Sequence, residues 1–265
     1  MWSSVGSVVA ERWESGALEC RIDEVAGEVP VALVYDGISH AVMLASPTDL
    51  EDFALGFSLT EGIVESPREI YDMDIVERAE GIEVQMRIAG KRFEQLKTRR
   101  RSLTGRTGCG LCGAESLSQA FRPLQPVISD LRLDPRRLHA VLGQLRDLQC
   151  IERVTGATHA AAWLDAEGQL ADLREDVGRH NALDKLVGHL AAAGTDFSRG
   201  SVLVTSRASH EMVQKTAAMG IGIMAAISAP TDLAIRMADR LNLTLVGFLR
   251  RDSHMIYTHP HRLRD

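Results

Sequence analysis

Short apolar runs alternate with longer amphipathic segments through the second half of this 265-residue chain. The apolar runs at residues 201–205, 221–227 and 243–249 predict strands, and the amphipathic residues 211–219 and 232–241 between them predict helices. A helix between two strands is typical of parallel neighbours, because a parallel crossover needs a connection of that length. The alternation therefore predicts an α/β fold, with a three-layer domain in which helices cover both faces of a largely parallel sheet.

The residues before and between these strands extend the same domain. Segments at 160–165 and 169–174 predict a hairpin around Gly168, and residues 181–194 predict a helix. Asp134 followed by proline predicts a helix start, since aspartate caps the first turn and proline fits the first helical position. Two shorter elements are predicted, a helix at residues 114–121 and a strand at 255–258.

The first hundred or so residues predict a smaller α+β unit. Asp36-Gly37 is a hairpin turn signal between two apolar runs. Thr48 and Glu51 have the spacing of a capping box at the start of a helix, and Gly62 marks the end of that helix. Strands are predicted at residues 31–35, 41–44, 71–76 and 82–88. We expect three regions: a small α+β domain at 1–105, a linker at 106–125 and the larger α/β domain at 126–265.

Cys109 and Cys112 lie in this linker, with glycine at positions 108, 110 and 113. Glycine allows positive φ and the close approach of another molecule, so the segment is predicted to be an exposed loop that carries two thiols. A basic run at residues 97–101 precedes it, and nearby cations stabilise a thiolate. The pair alone fits half of a zinc site or a thiol-transfer site. It fits a thioredoxin-like redox pair less well, because no apolar strand precedes it.

The composition is that of an ordinary globular protein, with 45% hydrophobic and 25% charged residues. A net charge of −6 argues against bulk nucleic-acid binding, and no apolar stretch reaches the ~20 residues that span a bilayer. The first residues lack the features of a secretion signal, so we expect a cytoplasmic protein. Four cysteines are too few for a disulfide framework, and we expect Cys20 and Cys150 to be buried or incidental small apolar residues.

Three polar segments follow the predicted strands, at residues 206–209, 228–231 and 248–253; we call them the edge segments. In an open α/β sheet, ligands bind outside the carboxyl ends of the strands, which places the edge segments around one crevice. Two of them lead into helix N-termini, where backbone N–H groups favour phosphate. Each segment alone is also typical of an ordinary cap or turn. Together they predict a pocket for an anionic ligand.

Residues 174–185 are dense in charge where a predicted strand becomes a helix. His180 is a candidate general base, but a structural histidine satisfied by its neighbours is the commoner case, and we favour that interpretation. The charged side chains of the stretch are predicted to form a solvated ion-pair cluster, in which each pair contributes little stability. The cluster comprises Glu175, Asp176, Arg179, Asp184 and Lys185.

As a set, and in this order along the chain, the motifs resemble the FdhD family, the formate dehydrogenase accessory sulfurtransferases. The resemblance extends over about residues 20–262 and includes the Cys-x-x-Cys segment, the charged stretch and two edge segments. The matching residues are 55–63, 105–113, 155–161, 174–185, 207–215, 228–231 and 257–260.

The resemblance implies a sulfur carrier with a defined donor and acceptor. Members of the family accept sulfane sulfur from a cysteine desulfurase as a persulfide. They pass it to the molybdenum cofactor, in its bis(molybdopterin guanine dinucleotide) form, before that cofactor enters formate dehydrogenase. Cys109 corresponds to the family's persulfide-carrying cysteine and Cys112 to its less essential partner. The larger domain is expected to have a cytidine-deaminase-like fold.

The resemblance also places the cofactor site on the third edge segment. We expect GDP to bind there as a mimic of the cofactor, and we expect a homodimer with no resident metal, no nucleic-acid partner and no membrane partner. The predicted cofactor-binding residues are Phe248, Leu249, Arg250, Arg251, Asp252 and Ser253, together with Arg207 and Ser228.

Two other functions fit parts of the sequence. A catalytic deaminase needs one residue between its histidine or cysteine and its glutamate, and a proline before its cysteine pair. Here His210 and Glu211 are adjacent and a glycine precedes the pair, which disfavours deamination. A zinc-stabilised nucleotide-binding module would combine the two cysteines with His159 or His180, although neither has finger-like spacing to them.

Overall fold

A computed structural model of the chain describes residues 2–103 and 122–263. Cys109, Cys112 and the helix predicted at 114–121 lie outside the described residues. The described part is a mixed α/β structure with three sheets, which confirms the predicted class. The cytidine-deaminase-like fold and the division into domains stay predictions.

A hairpin near the N-terminus, which the sequence patterns above do not predict, forms a two-stranded sheet. β1 (Val5–Glu14) and β2 (Ala17–Ala26) pair in antiparallel fashion along their whole length. Ser15 and Gly16 form the turn, and both have positive φ, 52° and 92°. Two-residue turns of this kind match the twist of hairpin strands. The Ser15-Gly16 pair between two strand-like runs is therefore the sequence pattern that could have predicted this hairpin.

A four-stranded sheet follows, made of β3 (Val29–Tyr35), β4 (Ile38–Ala45), β5 (Ile70–Glu77) and β6 (Ile82–Ile88). Its order is β4-β3-β6-β5, with β3 and β6 parallel and the two outer pairs antiparallel. Asp36 and Gly37 have φ of 45° and 80°, which confirms the predicted hairpin turn.

Two helices accompany this sheet, α1 (Leu50–Thr60) and α2 (Gly90–Leu103). The predicted capping box of α1 is wrong, because the N-cap is Asp49 in the left-handed conformation, without a side-chain cap. Thr48 instead accepts a hydrogen bond from Lys185 at 3.3 Å. Gly62 has φ of 63° just after the helix, as a C-terminal glycine should. The basic run at 97–101 lies on α2, a helix that is not predicted above.

The third sheet contains β7 (His159–Leu164), β8 (Leu170–Asp176), β9 (Ser201–Val204), β10 (Ile223–Ala226), β11 (Thr244–Gly247) and β12 (Met255–Ile256). Their order is β12-β11-β10-β9-β7-β8. β9, β10 and β11 are parallel, whereas β7, β8 and β12 form antiparallel pairs on either side of them. The sheet is therefore parallel only at its centre, where helices connect the strands.

The helices of the C-terminal part are α3 (Pro135–Leu148), α4 (Cys150–Thr155), α5 (Arg179–Ala192), α6 (His210–Ala218) and α7 (Asp232–Arg240). The carboxylate of Asp134 caps α3 as predicted, whereas α4 is not predicted. Leu138, Val141 and Leu145 of α3 pack on one face of the third sheet. The apolar sides of α5, α6 and α7 pack on the other face, which gives three layers.

Helices α1 and α5 join the N-terminal and C-terminal parts by direct backbone contact. A Cβ atom on Gly56 of α1 would lie 1.7 Å from the carbonyl oxygen of Asp184, and one on Gly188 of α5 would lie 1.8 Å from that of Asp52. Glycine is needed at both positions because any side chain would collide with the facing backbone. The two helices are thus held at a fixed distance in one continuous apolar core.

The charged stretch at 174–185 lies at this joint, and the prediction of a solvated cluster is wrong for four of its five members, because Glu175, Asp176, Asp184 and Lys185 are buried. Asp176 and Lys185 are both 0% exposed and form an ion pair at 2.8 Å. Lys185 also donates to the Ser46 carbonyl at 3.0 Å, and Asp176 accepts from the Ser46 N–H at 3.0 Å. The ion pair therefore bonds to the segment between β4 and α1 as well as to its own part of the chain.

A second buried ion pair joins the same parts through Asp184, the residue that precedes Lys185 in α5. Lys215 of α6 lies 2.9 Å from a carboxylate oxygen of Asp184, and both side chains are buried. Thr60, at the end of α1, donates to the same carboxylate at 2.7 Å. Glu61 completes the group at 2.7 Å from the Lys215 ammonium. Three helices thus meet at one satisfied set of charges.

Two smaller expectations concern the membrane and the cysteines. In the part of the chain that the structure describes, no helix combines the length and the apolar character of a membrane span. Cys20 and Cys150 are both exposed, so the prediction that they are buried is wrong. They lie on the first hairpin and at the start of α4, neither of which is predicted from the sequence.

We expect Lys185→Met to destabilise the fold by about 3–5 kcal/mol, because it leaves the buried Asp176 carboxylate without its counter-ion. Urea denaturation followed by circular dichroism measures the free energy of unfolding. The control is Arg236→Met, which breaks an ion pair whose side chains are 63% and 76% exposed and should cost less than about 1 kcal/mol. Equal stability of the two variants would contradict the structural role of the buried pair.

Candidate functional site

The three edge segments lie side by side beyond β9, β10 and β11. Ala208 and Pro230 form a parallel bridge, and the Thr231 N–H donates to the Ala208 carbonyl at 3.0 Å. The Phe248 N–H donates to the Ser228 carbonyl at 3.2 Å. These hydrogen bonds hold the first segment to the second and the second to the third, so all three form one edge of the third sheet.

A cavity of about 770 Å³ opens at this edge, on the face of the sheet that α3 covers. Its walls come from the end of α3, from α4 and the loop after it, and from the residues that follow β9, β10 and β11. The ionisable residues that line it are Arg146, Asp147, Glu152, His159, Arg250 and Arg251. Three arginines in one cavity suit an anionic ligand.

Leu249, Arg250 and Arg251 are the predicted cofactor-binding residues that line this cavity. Phe248 has φ of 51° and is 44% exposed, so it is not the core residue that an apolar strand end usually is. Its left-handed backbone bends the chain out of β11 and into the third edge segment. The remaining predicted residues belong to the edge segments but do not line the cavity, namely Arg207, Ser228, Phe248, Asp252 and Ser253.

Arg250 has a role in the loop itself. Its N–H donates to the Ser253 carbonyl at 2.8 Å, and its guanidinium donates to the carbonyls of Ile227 at 2.5 Å and Leu249 at 2.9 Å. One end of its guanidinium therefore fixes the third edge segment. Arg251 is exposed and borders the same cavity.

The opposite wall, made by α3 and α4, is not predicted from the sequence. Glu175, which is buried at the end of β8, accepts hydrogen bonds from the N–H groups of Ile151 and Glu152 at 3.0 and 2.9 Å. It thereby caps α4, whose start carries no side-chain cap of its own. Glu152 in turn accepts from the Thr158 N–H at 2.7 Å. A carboxylate from β8 thus fixes this wall of helices. No local sequence pattern reveals such a contact.

A histidine pair connects the two walls. His139 of α3 and His254, the residue after the third edge segment, approach within 2.8 Å between Nε2 and Nδ1. Burial lowers the pKa of His254, and the neighbouring His139 lowers it further. The pair thus connects the third edge segment to α3, and this contact disfavours protonation of His254.

A second group of ionisable side chains lies where α5 and α6 begin. His180 Nε2 lies 2.8 Å from a carboxylate oxygen of Glu211, and His180 lowers the pKa of Glu211 to about 2. Neither His180 Nε2 nor Arg179 Nε has a well-aligned hydrogen-bond partner among the described residues. Burial lowers the pKa of His159, and Arg179 adds to this effect, so His159 presents a neutral imidazole to the cavity. His180 thus contacts Glu211 without a well-aligned hydrogen bond, and its structural role stays a prediction.

Two arginines anchor the elements that precede and follow the cysteine segment, Arg92 on α2 and Arg122. Arg92, at the start of α2, donates to both carboxylate oxygens of Glu69 at 2.9 Å and forms an ion pair with Glu65. Arg122, the first described residue after the segment, donates to the Thr60 carbonyl at 2.7 Å. The chain thus re-enters the structure beside α1, in the layer opposite α3 and the cavity.

Among residues 2–103 and 122–263, no three histidine, cysteine, aspartate or glutamate side chains are grouped as a metal site. The zinc alternative depends on Cys109 and Cys112 and stays a hypothesis.

We expect the third edge segment to loosen as the pH falls below about 6.5, the ordinary pKa of histidine. The folded-state pKa of His254 is lowered, so the unfolded or opened state binds more protons and gains stability as the pH falls. Hydrogen exchange of residues 250–254 between pH 7.5 and 5.5 measures this opening. His139→Asn removes the like-charged neighbour and should flatten the pH dependence; an unchanged pH profile would contradict the role of the pair.

Comparisons with known proteins agree with the resemblance noted in the sequence. The model of the FdhD/NarQ family matches residues 26–264. The chain is 60% identical over 253 residues to the sulfur carrier protein FdhD of Cupriavidus necator, which covers 96% of this chain and 88% of that protein.

A solved structure shares the fold. The crystal structure of a candidate formate dehydrogenase accessory protein from Desulfotalea psychrophila superposes with a TM-score of 0.77 at 23% identity, covering 98% of this chain and 99% of that one. The fold, the motif order and the match along nearly the whole chain lead to one conclusion: this chain belongs to the FdhD/NarQ family.

Proposed function

We propose that this protein is a sulfur carrier that serves the maturation of formate dehydrogenase. The observation that carries the proposal is the 60% identity, over 96% of the chain, to a protein named as the sulfur carrier FdhD. The finer proposal is that Cys109 accepts sulfane sulfur from a cysteine desulfurase and passes it to the molybdenum cofactor in its bis(molybdopterin guanine dinucleotide) form.

The first transfer is a thiol–persulfide exchange. The Cys109 thiolate attacks the terminal sulfur of the desulfurase persulfide, a new S–S bond forms on Cys109, and the desulfurase cysteine leaves as a thiolate. The sulfane sulfur keeps its oxidation level, so this step needs no external oxidant or reductant. Arg106 and the basic run at 97–101 support the anionic forms of the carrier, because cations nearby favour a thiolate.

The cavity supports the second half of the proposal. Arg146, Arg250 and Arg251 suit the phosphates of the cofactor's guanine dinucleotide. The cysteine segment re-enters the structure at Arg122, in the layer opposite this cavity.

Replacing Cys109 tests the carrier role. We expect Cys109→Ala to abolish activation of formate dehydrogenase in cells that lack the native protein, and Cys112→Ala to leave part of it. Cys20→Ala is the matched control, because Cys20 is an exposed free thiol on the first hairpin. Mass spectrometry after incubation with a desulfurase and cysteine should show one added sulfur on the wild type and on Cys20→Ala. Full activation by Cys109→Ala would contradict the proposal.

Replacing Arg251 tests the nucleotide site. We expect GDP to bind without molybdenum, and Arg251→Ala to weaken it about tenfold, because a charge-assisted hydrogen bond contributes about 1.5–3 kcal/mol. Arg251 is a cleaner test than Arg250, whose guanidinium also fixes the loop. Arg236→Ala, an exposed arginine on α7, is the control. Calorimetric titration measures both; the absence of GDP binding at millimolar concentration would place the site elsewhere.

A further inference from the structure

Asp147 brings a carboxylate to the same cavity that Arg146, Arg250 and Arg251 line. It is exposed, and its carboxylate has no hydrogen bond or ion pair with another described residue. Arg153 reaches Asp147 but donates to its backbone carbonyl, at 3.4 Å. The side chain of Asp147 is therefore available to a ligand.

The other carboxylates near this wall already have structural partners. Glu175 caps α4 through two backbone N–H groups and also accepts from the Thr158 hydroxyl at 2.9 Å. Glu152 accepts from the Thr158 N–H at 2.7 Å through one of its oxygens. Of these three acidic residues, Asp147 is the one whose side chain stabilises no described part of the wall.

The position of Asp147 in its helix is also unfavourable for folding. It is the last residue but one of α3 (Pro135–Leu148), where the helix dipole presents negative partial charge. A carboxylate there is unfavourable, whereas a basic residue such as its neighbour Arg146 is favourable. Residues that break a local rule without a structural compensation are often functional.

We propose that Asp147 selects the base of a nucleotide bound in this cavity, by accepting two N–H donors from one edge of guanine. The inference rests on the proposed function, which places the guanine nucleotide end of the cofactor here. A carboxylate is an acceptor with two oxygens, and the N1–H and 2-amino groups of guanine are two adjacent donors. Adenine offers an acceptor at N1, so it would leave the carboxylate partly unpaired. The arginines of the same cavity hold the phosphates.

The test is Asp147→Asn, titrated with GDP, ADP and xanthosine diphosphate. Asparagine has the same shape but offers one acceptor and one donor, which match the N1–H and the 2-oxo group of xanthine. Wild type should prefer GDP. The variant should lose GDP affinity about tenfold or more and gain affinity for xanthosine diphosphate. Because Asp147 is exposed and unfavourably placed, the variant should unfold at the same temperature as wild type or slightly higher.

Two further variants sharpen the result. Asp232→Asn, whose carboxylate pairs with Arg236 on α7, should keep the wild-type preference. If GDP binds to wild type and Asp147→Asn keeps the same preference, or if only Glu152→Gln changes it, the assignment of Asp147 is overturned while the nucleotide site stands. If wild type binds none of the three nucleotides, the nucleotide site of the proposed function fails together with the inference.

Discussion

The buried ion pair between Asp176 and Lys185 is the interaction on which the arrangement of the chain depends. Both side chains are fully buried, so each charge must be compensated within the protein. Part of that compensation comes from Ser46 and Thr48, which precede α1 in the N-terminal part. A displaced N-terminal part would leave the pair in the core without its hydrogen bonds to Ser46 and Thr48. The pair therefore favours one placement of the N-terminal part against the C-terminal part.

The glycine contacts between α1 and α5 make that placement close as well as specific. Gly56 and Gly188 each face a backbone carbonyl, so the helix axes approach further than side chains would allow. The end of α1 then supplies the Thr60 carbonyl that Arg122 binds where the chain re-enters after the cysteine segment. The buried joint thus sets one end of the segment that carries the two thiols, in the layer opposite the cavity.

Different interactions hold the two walls of the cavity in place. Glu175 fixes the wall at α4 through two backbone hydrogen bonds. The wall formed by the third edge segment depends on the Arg250 guanidinium and on the contact between His139 and His254. The first set of bonds uses a buried carboxylate, and the second contains a histidine whose charged form is disfavoured.

Local patterns in the sequence determined the mixed α/β class, the Asp36-Gly37 turn and the cap of α3, because turns and caps depend on neighbouring residues. The motifs and their order along the chain determined the family. Only the tertiary structure decided that Asp176 and Lys185 are buried, that Glu175 caps α4 and that Asp147 borders the cavity with the arginines. Each of these depends on a partner distant in sequence, and a charged residue has the same local pattern whether water or another chain segment surrounds it.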